Sequence, residues 1–398
     1  MVESWDRAVF IPACRESALL PGCIKSLADI APPRTILVLV INARVDASEE
    51  THKDNDSSFE WLTQFPHKQQ APDQWMFQLP NLDVLVLDRW THPFRLQPKQ
   101  GVGTARAMGA GFICSLYHNK RLKYPWIWST DADARFPDDY LKEPTEDGTC
   151  IVPYIHTSSN GHTPPIALEI YEYSLRYYAL GLHHAQSPYA FPTIGSTILI
   201  SIDAYEKSHG FPHRMAGEDF YLLAKASKVS AIHYLKRSPI QLLCRDSDRV
   251  PFGTGQGMAT IEANHNTKEL YHPKIFDDLK QWVHYLNTSS DETLIDDLET
   301  ITFDFPHKKK LIKLLAQPAK GARIQTRRHE WFDAFRTLKW IHYMRDTKWG
   351  TLPYKQALVQ ARFTQLSESE QDNWQRTLKH IEENRITSAG KVLFHSRM

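Results

Sequence analysis

Apolar residues fall into two kinds of spacing through the first part of the chain. Short unbroken runs occur at Val9-Phe10-Ile11, 36–41, 84–87, Trp126-Ile127-Trp128, Cys150-Ile151-Val152 and 197–200. Runs of this length, rich in β-branched residues and leucine, predict strands covered on both faces. Between them lie segments of helical spacing at 19–28, 103–117, 164–184 and 217–227. In the second of these, Ala105, Met108, Phe112 and Leu116 predict the buried stripe. Ala107, Gly109, Ala110 and Gly111 allow that helix close approach to a sheet. Ser201 predicts the cap of a further helix, which Gly210 and Pro212 stop. Strands alternating with helices predict an α/β fold with a mixed, mainly parallel sheet flanked by helices.

The pattern changes past Ala263. Strand-like runs vanish, and helical spacing with Trp and Tyr anchors takes over at 277–286, 326–344 and 367–384. Pro273, Pro306, Pro318 and Pro353 punctuate these segments. The expected division is residues 1–265 as the α/β domain and 266–398 as a helical C-terminal region. The polar stretch from Asp46 to Pro80 is long for a loop, and Phe59 and Trp61 mark part of it as ordered.

Composition narrows the class. A chain of 398 residues with 42% hydrophobic and 23% charged residues is ordinary for a globular protein. With 47 basic against 46 acidic residues the net charge is +1. No whole-chain field therefore draws it to nucleic acid or to a membrane. The cysteines are five, scattered, and form no CxxC pair, which fits a reducing compartment. The start, MVESWDRAVF, lacks the features of a signal peptide, and the longest aliphatic run is too short to span a bilayer. A cytoplasmic protein without an integral membrane segment is expected. His307–Lys310 reads as a solvated face, with weak peripheral lipid contact as the alternative.

Three clusters carry candidate chemistry. Ser129-Thr130-Asp131-Ala132-Asp133-Ala134 follows a predicted strand directly. In extended backbone Asp131 and Asp133 point the same way, off the strand edge where open α/β sheets bind ligands. Adjacent carboxylates repel, and Mg²⁺ characteristically joins such groups to substrate phosphates. The same aspartates also read as turn or helix caps. Gly217-Glu218-Asp219 opens a helix, where a carboxylate serves either as a cap or as a general base for a hydroxyl. Arg245 and Arg249 precede a glycine-rich stretch, Gly253 to Gly257. Guanidinium groups there suit phosphate oxygens, although the Lys-Ser/Thr ending of a P-loop is missing, and a surface loop is the other reading.

Taken in order, these blocks resemble the nucleotide-sugar glycosyltransferases of family two, which have the GT-A, Rossmann-like fold. IPACRES (11–17) resembles the first strand and loop of that family. GVGTARAMGAGF (101–112) resembles its glycine- and arginine-bearing helix. TDADARFPDDYL (130–141) resembles its aspartate motif. The block 195–226, with GFP and GED, resembles its acceptor side. The resemblance spans residues 5–260 and does not reach the C-terminal helices.

The resemblance implies transfer of a sugar from a nucleoside-diphosphate sugar to a hydroxyl acceptor, with inversion. It implies Mg²⁺ or Mn²⁺ on Asp131 and Asp133, and Asp219 as base with Glu218 as the second candidate. Pro12, Ala13 and Arg15 would line the nucleotide pocket, joined by Gly103 and Arg106 of the helix motif. After the second strand the acidic, glycine-containing loop of the family is replaced by Asn42 to Ser48, where Asn42 can hydrogen-bond a base as donor and acceptor. No third metal ligand is assigned. Two alternatives remain. A sugar-phosphate nucleotidyltransferase needs a glycine-rich first loop, and Pro12 to Ser17 contains no glycine. A non-catalytic nucleotide- or sugar-binding protein on the same fold needs neither carboxylate pair.

Overall fold

The structure, a computed structural model, describes residues 4–158, 165–244, 254–289 and 323–367, with isolated positions 293, 313, 374, 377 and 378. The chain divides into two compact units. One comprises residues 1–165 and 193–257, the other 166–192 and 258–398.

The first unit contains strands β1 (Arg7–Ala13), β2 (Thr35–Asn42), β3 (His67–Ala71), β4 (Gln74–Gln78), β5 (Asp83–Arg89) and β6 (Trp126–Ser129). It continues with β7 (Ala134–Arg135), β8 (Thr149–Ile151), β9 (Tyr154–Ser158), β10 (Ile198–Ser201), β11 (Ile232–Tyr234) and β12 (Ile240–Cys244). Nine of them form one sheet in the order β11-β8-β10-β6-β1-β2-β5-β4-β3. Only β4 and β10 run against the rest. The fold is thus mixed α/β with a mainly parallel sheet. Every residue of β2 is buried, as its unbroken apolar run requires.

Helices α1 (Leu20–Ile30), α2 (Glu49–Leu62) and α3 (Val102–His118) flank this sheet. Leu20, Cys23, Ile24 and Leu27 of α1 share a core with Leu37, Leu39 and Ile41 of β2. Helix α3 buries only half of the stripe its spacing predicts. Ala105, Gly109, Ile113 and Leu116 are buried, whereas Met108 and Phe112 are only partly so. Gly109 decides this, because a Cβ there would come within 3.0 Å of the Phe10 ring. Gly109 thus sets the close approach of α3 to β1.

Other expectations are refined. β1 runs through Pro12, which sits opposite Val40, instead of stopping before it. The polar stretch after Asp46 forms α2, capped by the Ser48 hydroxyl, and then the antiparallel pair β3–β4. The Ser201 hydroxyl accepts from Ala204 N–H and caps α5 (Ile202–Lys207) as expected. A small second sheet, β7-β12-β9, had no signal in the sequence.

The second unit is mainly helical. α4 (Ile166–His184) packs with the helix Pro273–Thr288, where a Cβ on Gly181 would meet the Phe276 ring at 2.6 Å. The Tyr177 hydroxyl donates to the Tyr271 carbonyl at 2.6 Å. The single helix expected over 326–344 is two, Arg323–Trp331 and Ala334–Met344, because the Asp333 carboxylate caps the second. A short strand pair, Glu269–Tyr271 with Thr351–Pro353, interrupts the helices. Most of the expected helix over 367–384, and all of His307–Lys310, lie outside the described residues. Among the described residues no helix is long and apolar enough to cross a membrane.

Candidate active site

β1, β2, β5 and β6 all end at the same edge of the large sheet, and the carboxylate clusters gather there. The segment after β6 does not continue extended. Ala134 N–H donates to the Asp131 carbonyl at 3.2 Å, which closes a turn over Asp131–Ala134. The same-face argument for Asp131 and Asp133 from extended backbone therefore fails, and the turn now sets their directions. The turn is pinned at both ends. Thr130 N–H donates to the Phe10 carbonyl at 3.2 Å, and Leu243 N–H donates to the Asp133 carbonyl at 3.0 Å. Both carboxylates stay partly exposed while Ala132 and Ala134 are fully buried.

One side chain organises this edge. Arg106, on the first turns of α3, is buried, and each of its nitrogens has a partner. Nη2 donates to Asp131 Oδ1 at 2.7 Å and Nε to Glu218 Oε1 at 2.8 Å. Nη1 donates to Ser129 Oγ at 3.1 Å and, more weakly, to the Gly195 carbonyl at 3.4 Å. Gly195 leaves room for it, since a Cβ there would lie 2.4 Å from Nη2. Burial alone would lower the Arg106 pKa, but Asp131 and Glu218 beside it raise it, so the group stays charged.

Glu218 and Asp219 open α6 (Glu218–Val229) after Gly217, whose φ of 73° is the left-handed conformation glycine tolerates. Glu218 is buried and faces Arg106. Asp219 Oδ1 accepts from Phe220 N–H at 2.7 Å. Burial, with the Glu218 carboxylate next to it, pushes the Asp219 carboxyl up to about 7, against the pull of Arg106. A carboxyl tuned to that range is suited to taking a proton near neutrality.

The other expected residues are placed differently. Pro12 and Ala13 are buried strand residues, which leaves Arg15 as the partly exposed member of the first loop. Arg15 Nη2 donates to Glu50 Oε1 at 3.0 Å. The Asn42 amide donates to the Ala13 and Val40 carbonyls at 2.9 and 3.2 Å. Its donor side therefore ties β1 to β2 and is not presented to a base. Gly103 is buried beneath residues 212–214, where a Cβ would lie 2.4 Å from the Pro212 carbonyl oxygen. It serves a close backbone approach. Arg106 likewise holds carboxylates where a diphosphate contact was expected. Arg245 and Arg249 lie outside the described residues. Sequence reasoning missed Ser129 and Gly195, although both stand inside quoted motifs; their part depends on where Arg106 arrives.

Asp131, Glu218 and Asp219 surround a single guanidinium, and Asp133 stands two residues away. That excess of negative charge fits a divalent cation in chemistry. Among the described residues no group of three His, Cys, Asp or Glu side chains is arranged to hold a metal. A cation here would thus complete its shell with phosphate oxygens and water, as Mg²⁺ commonly does.

No protein-family model matches the chain, and no curated protein matches it in sequence. Solved structures similar to it include S. aureus TarS 1–349 in complex with UDP-GlcNAc, at 13% identity and a TM-score of 0.37, covering 97% of this chain and 90% of that one. Another is mannosyltransferase PcManGT from Pyrobaculum calidifontis in complex with GDP-Man and Mn²⁺, at 14% identity and a TM-score of 0.35, covering 99% and 89%. These superpositions run nearly the whole length but are loose, and neither assigns a role to a residue here.

Proposed function

We propose that the first unit is a glycosyltransferase that moves a sugar from a nucleoside-diphosphate sugar to a hydroxyl acceptor, with inversion. The observation that carries this reading is the Arg106 bridge. It brings the aspartate turn after β6 and the Glu-Asp turn of α6 to one edge of a mainly parallel sheet. Ligands of open α/β sheets bind at that edge. The order of motifs in the sequence supports the same reading.

In this proposal Asp219 accepts the proton of the acceptor hydroxyl. The hydroxyl oxygen forms its bond to the anomeric carbon from the face opposite the diphosphate. The bond to the diphosphate breaks, and the nucleoside diphosphate leaves with the electron pair. Glu218, held by Arg106, is a positioning residue, and its charge keeps Asp219 basic. Asp131 and Asp133 would hold Mg²⁺ or Mn²⁺, which supplies charge neutralisation of the leaving diphosphate when bound.

A thermal-shift screen of nucleoside diphosphates with Mn²⁺ tests the donor site, because ligands that bind only the native state raise the midpoint. Release of nucleoside diphosphate from a donor sugar then separates an enzyme from a pure binder. If no nucleoside diphosphate shifts the midpoint, the proposal fails.

A further inference from the structure

The start of α3 meets the segment that leads into Glu218 and Asp219 at two places. Residues 212–215 cross it with backbone on backbone. Gly103 N–H donates to the Arg214 carbonyl at 3.2 Å. A Cβ on Gly103 would lie 2.4 Å from the Pro212 carbonyl oxygen and 2.9 Å from the Arg214 backbone nitrogen and oxygen. One on Gly101 would lie 2.9 Å from the Met215 Cα and carbonyl oxygen. Three residues beyond Gly103, on the same face of the helix, Arg106 Nε holds Glu218 at 2.8 Å. Only Ala216 and Gly217 separate Met215 from Glu218.

The two contacts are not equivalent. A guanidinium on a long, rotatable arm follows a carboxylate that moves. A backbone crossing has no rotamer to adjust, so it fixes the spacing between α3 and the chain entering α6. At both glycines the atoms in the way are backbone, so a side chain there has to push residues 212–215 aside. The two residues that follow span at most about 7 Å, too little to absorb such a shift before Glu218 and Asp219. Gly111 of the same helix is the contrast: a Cβ there would meet nothing within 4 Å.

We propose that Gly103, with Gly101, is a positioning residue for Asp219: the bare backbone at the start of α3 seats residues 212–215 and so sets where the carboxylate stands against the acceptor hydroxyl. This rests on the glycosyltransferase reading and adds residues that touch no substrate. Proton transfer needs its partners within hydrogen-bond reach, and a misplacement of about 1 Å costs on the order of 10² in rate.

The test measures release of nucleoside diphosphate from UDP-glucose and from GDP-mannose by the full-length protein, with Mn²⁺ and with water as acceptor. Gly103→Ala should lower kcat by about tenfold or more, while the donor KM and the affinity for UDP or GDP stay within about twofold. The double variant is decisive. If Gly103→Ala acts by displacing Asp219, it costs nothing further once Asp219→Asn has removed the base. Gly111→Ala, the same change where there is room, should leave kcat unchanged. Losses that multiply in the double variant, an unchanged kcat in Gly103→Ala, or an equal loss in Gly111→Ala overturn the proposal. Gly101→Ala, whose clash is milder, carries the same cycle if Gly103→Ala does not fold. Failure of the underlying reading is distinct, because then the wild type releases nucleoside diphosphate from neither donor, and this proposal falls with it.

Discussion

Asp131 and Glu218, from distant parts of the sequence, share the guanidinium of Arg106 at 2.7 and 2.8 Å. The shared cation does two things. It neutralises a carboxylate that is otherwise buried without a counter-charge, and it fixes the start of α6 relative to the end of β6. The cluster is thus both a stability element and the frame of the candidate site.

Removing the guanidinium should therefore cost both. Arg106→Met leaves Glu218 buried and unpaired, a change expected to destabilise the fold by about 3–5 kcal/mol. Denaturant titration measures this, and Arg106→Met with Glu218→Gln should recover part of the loss. Equal stability of the single and double variants would mean that the ion pair is not the source of the effect.

Asp219→Asn keeps the size of the side chain but cannot take a proton. Turnover should fall by about 10²–10⁴, roughly 3–5 kcal/mol of barrier, with nucleotide binding nearly unchanged. Glu218→Gln should cost less. If neither variant lowers turnover about tenfold while remaining folded, the turn is only a helix start.

The raised Asp219 pKa has two opposite signatures in pH. Turnover should rise as pH increases through about 7, where the folded carboxyl loses its proton. Stability should move the other way. The unfolded carboxyl titrates near ~3.9, so between that value and about 7 the native state binds more protons than the unfolded chain. The contribution is fully present below the unfolded pKa and lost as pH rises through the folded one. Asp219→Asn lacks it, so its stability relative to wild type should improve from pH ~4 to ~7, by on the order of 1–3 kcal/mol, and then level off. Denaturant titrations of both proteins across that range check the sign.

Asp133→Asn should weaken binding of a nucleoside diphosphate with Mn²⁺ by about tenfold or more and leave the fold intact, because backbone hydrogen bonds hold the turn. Calorimetry with Mn²⁺ and with EDTA decides it. Equal affinity in the two conditions would remove the metal from the proposal.

Ending the chain after residue 263 should yield insoluble protein. Such a truncation strips α4 of Phe276 and Tyr271, the partners of Gly181 and Tyr177, and leaves an apolar helix face bare. Expression followed by gel filtration reads this directly, and a soluble, monomeric product would show that α4 does not need the residues after 263.

The sequence by itself determined the central strands and the positions of the carboxylates. An unbroken run such as that of β2 is satisfied only by cover on both faces, and Asp131, Glu218 and Asp219 stand at element ends that local signals mark. The edge pair β3–β4 was illegible, because β3 is an exposed strand of polar residues with no apolar period. Strands β7, β9 and β12 are too short or too local in pattern to announce their pairing. What only the tertiary structure decided is what each polar side chain faces. Arg106 and Gly103 sit in a motif that read as donor-binding, yet one is claimed by two carboxylates and the other by a backbone crossing. Asn42, expected to read a base, spends its donors on β1 and β2. The reason is physical: periodicity records whether a position is buried, but hydrogen-bond partners come from chain segments far apart in sequence, and only folding brings them within three ångströms.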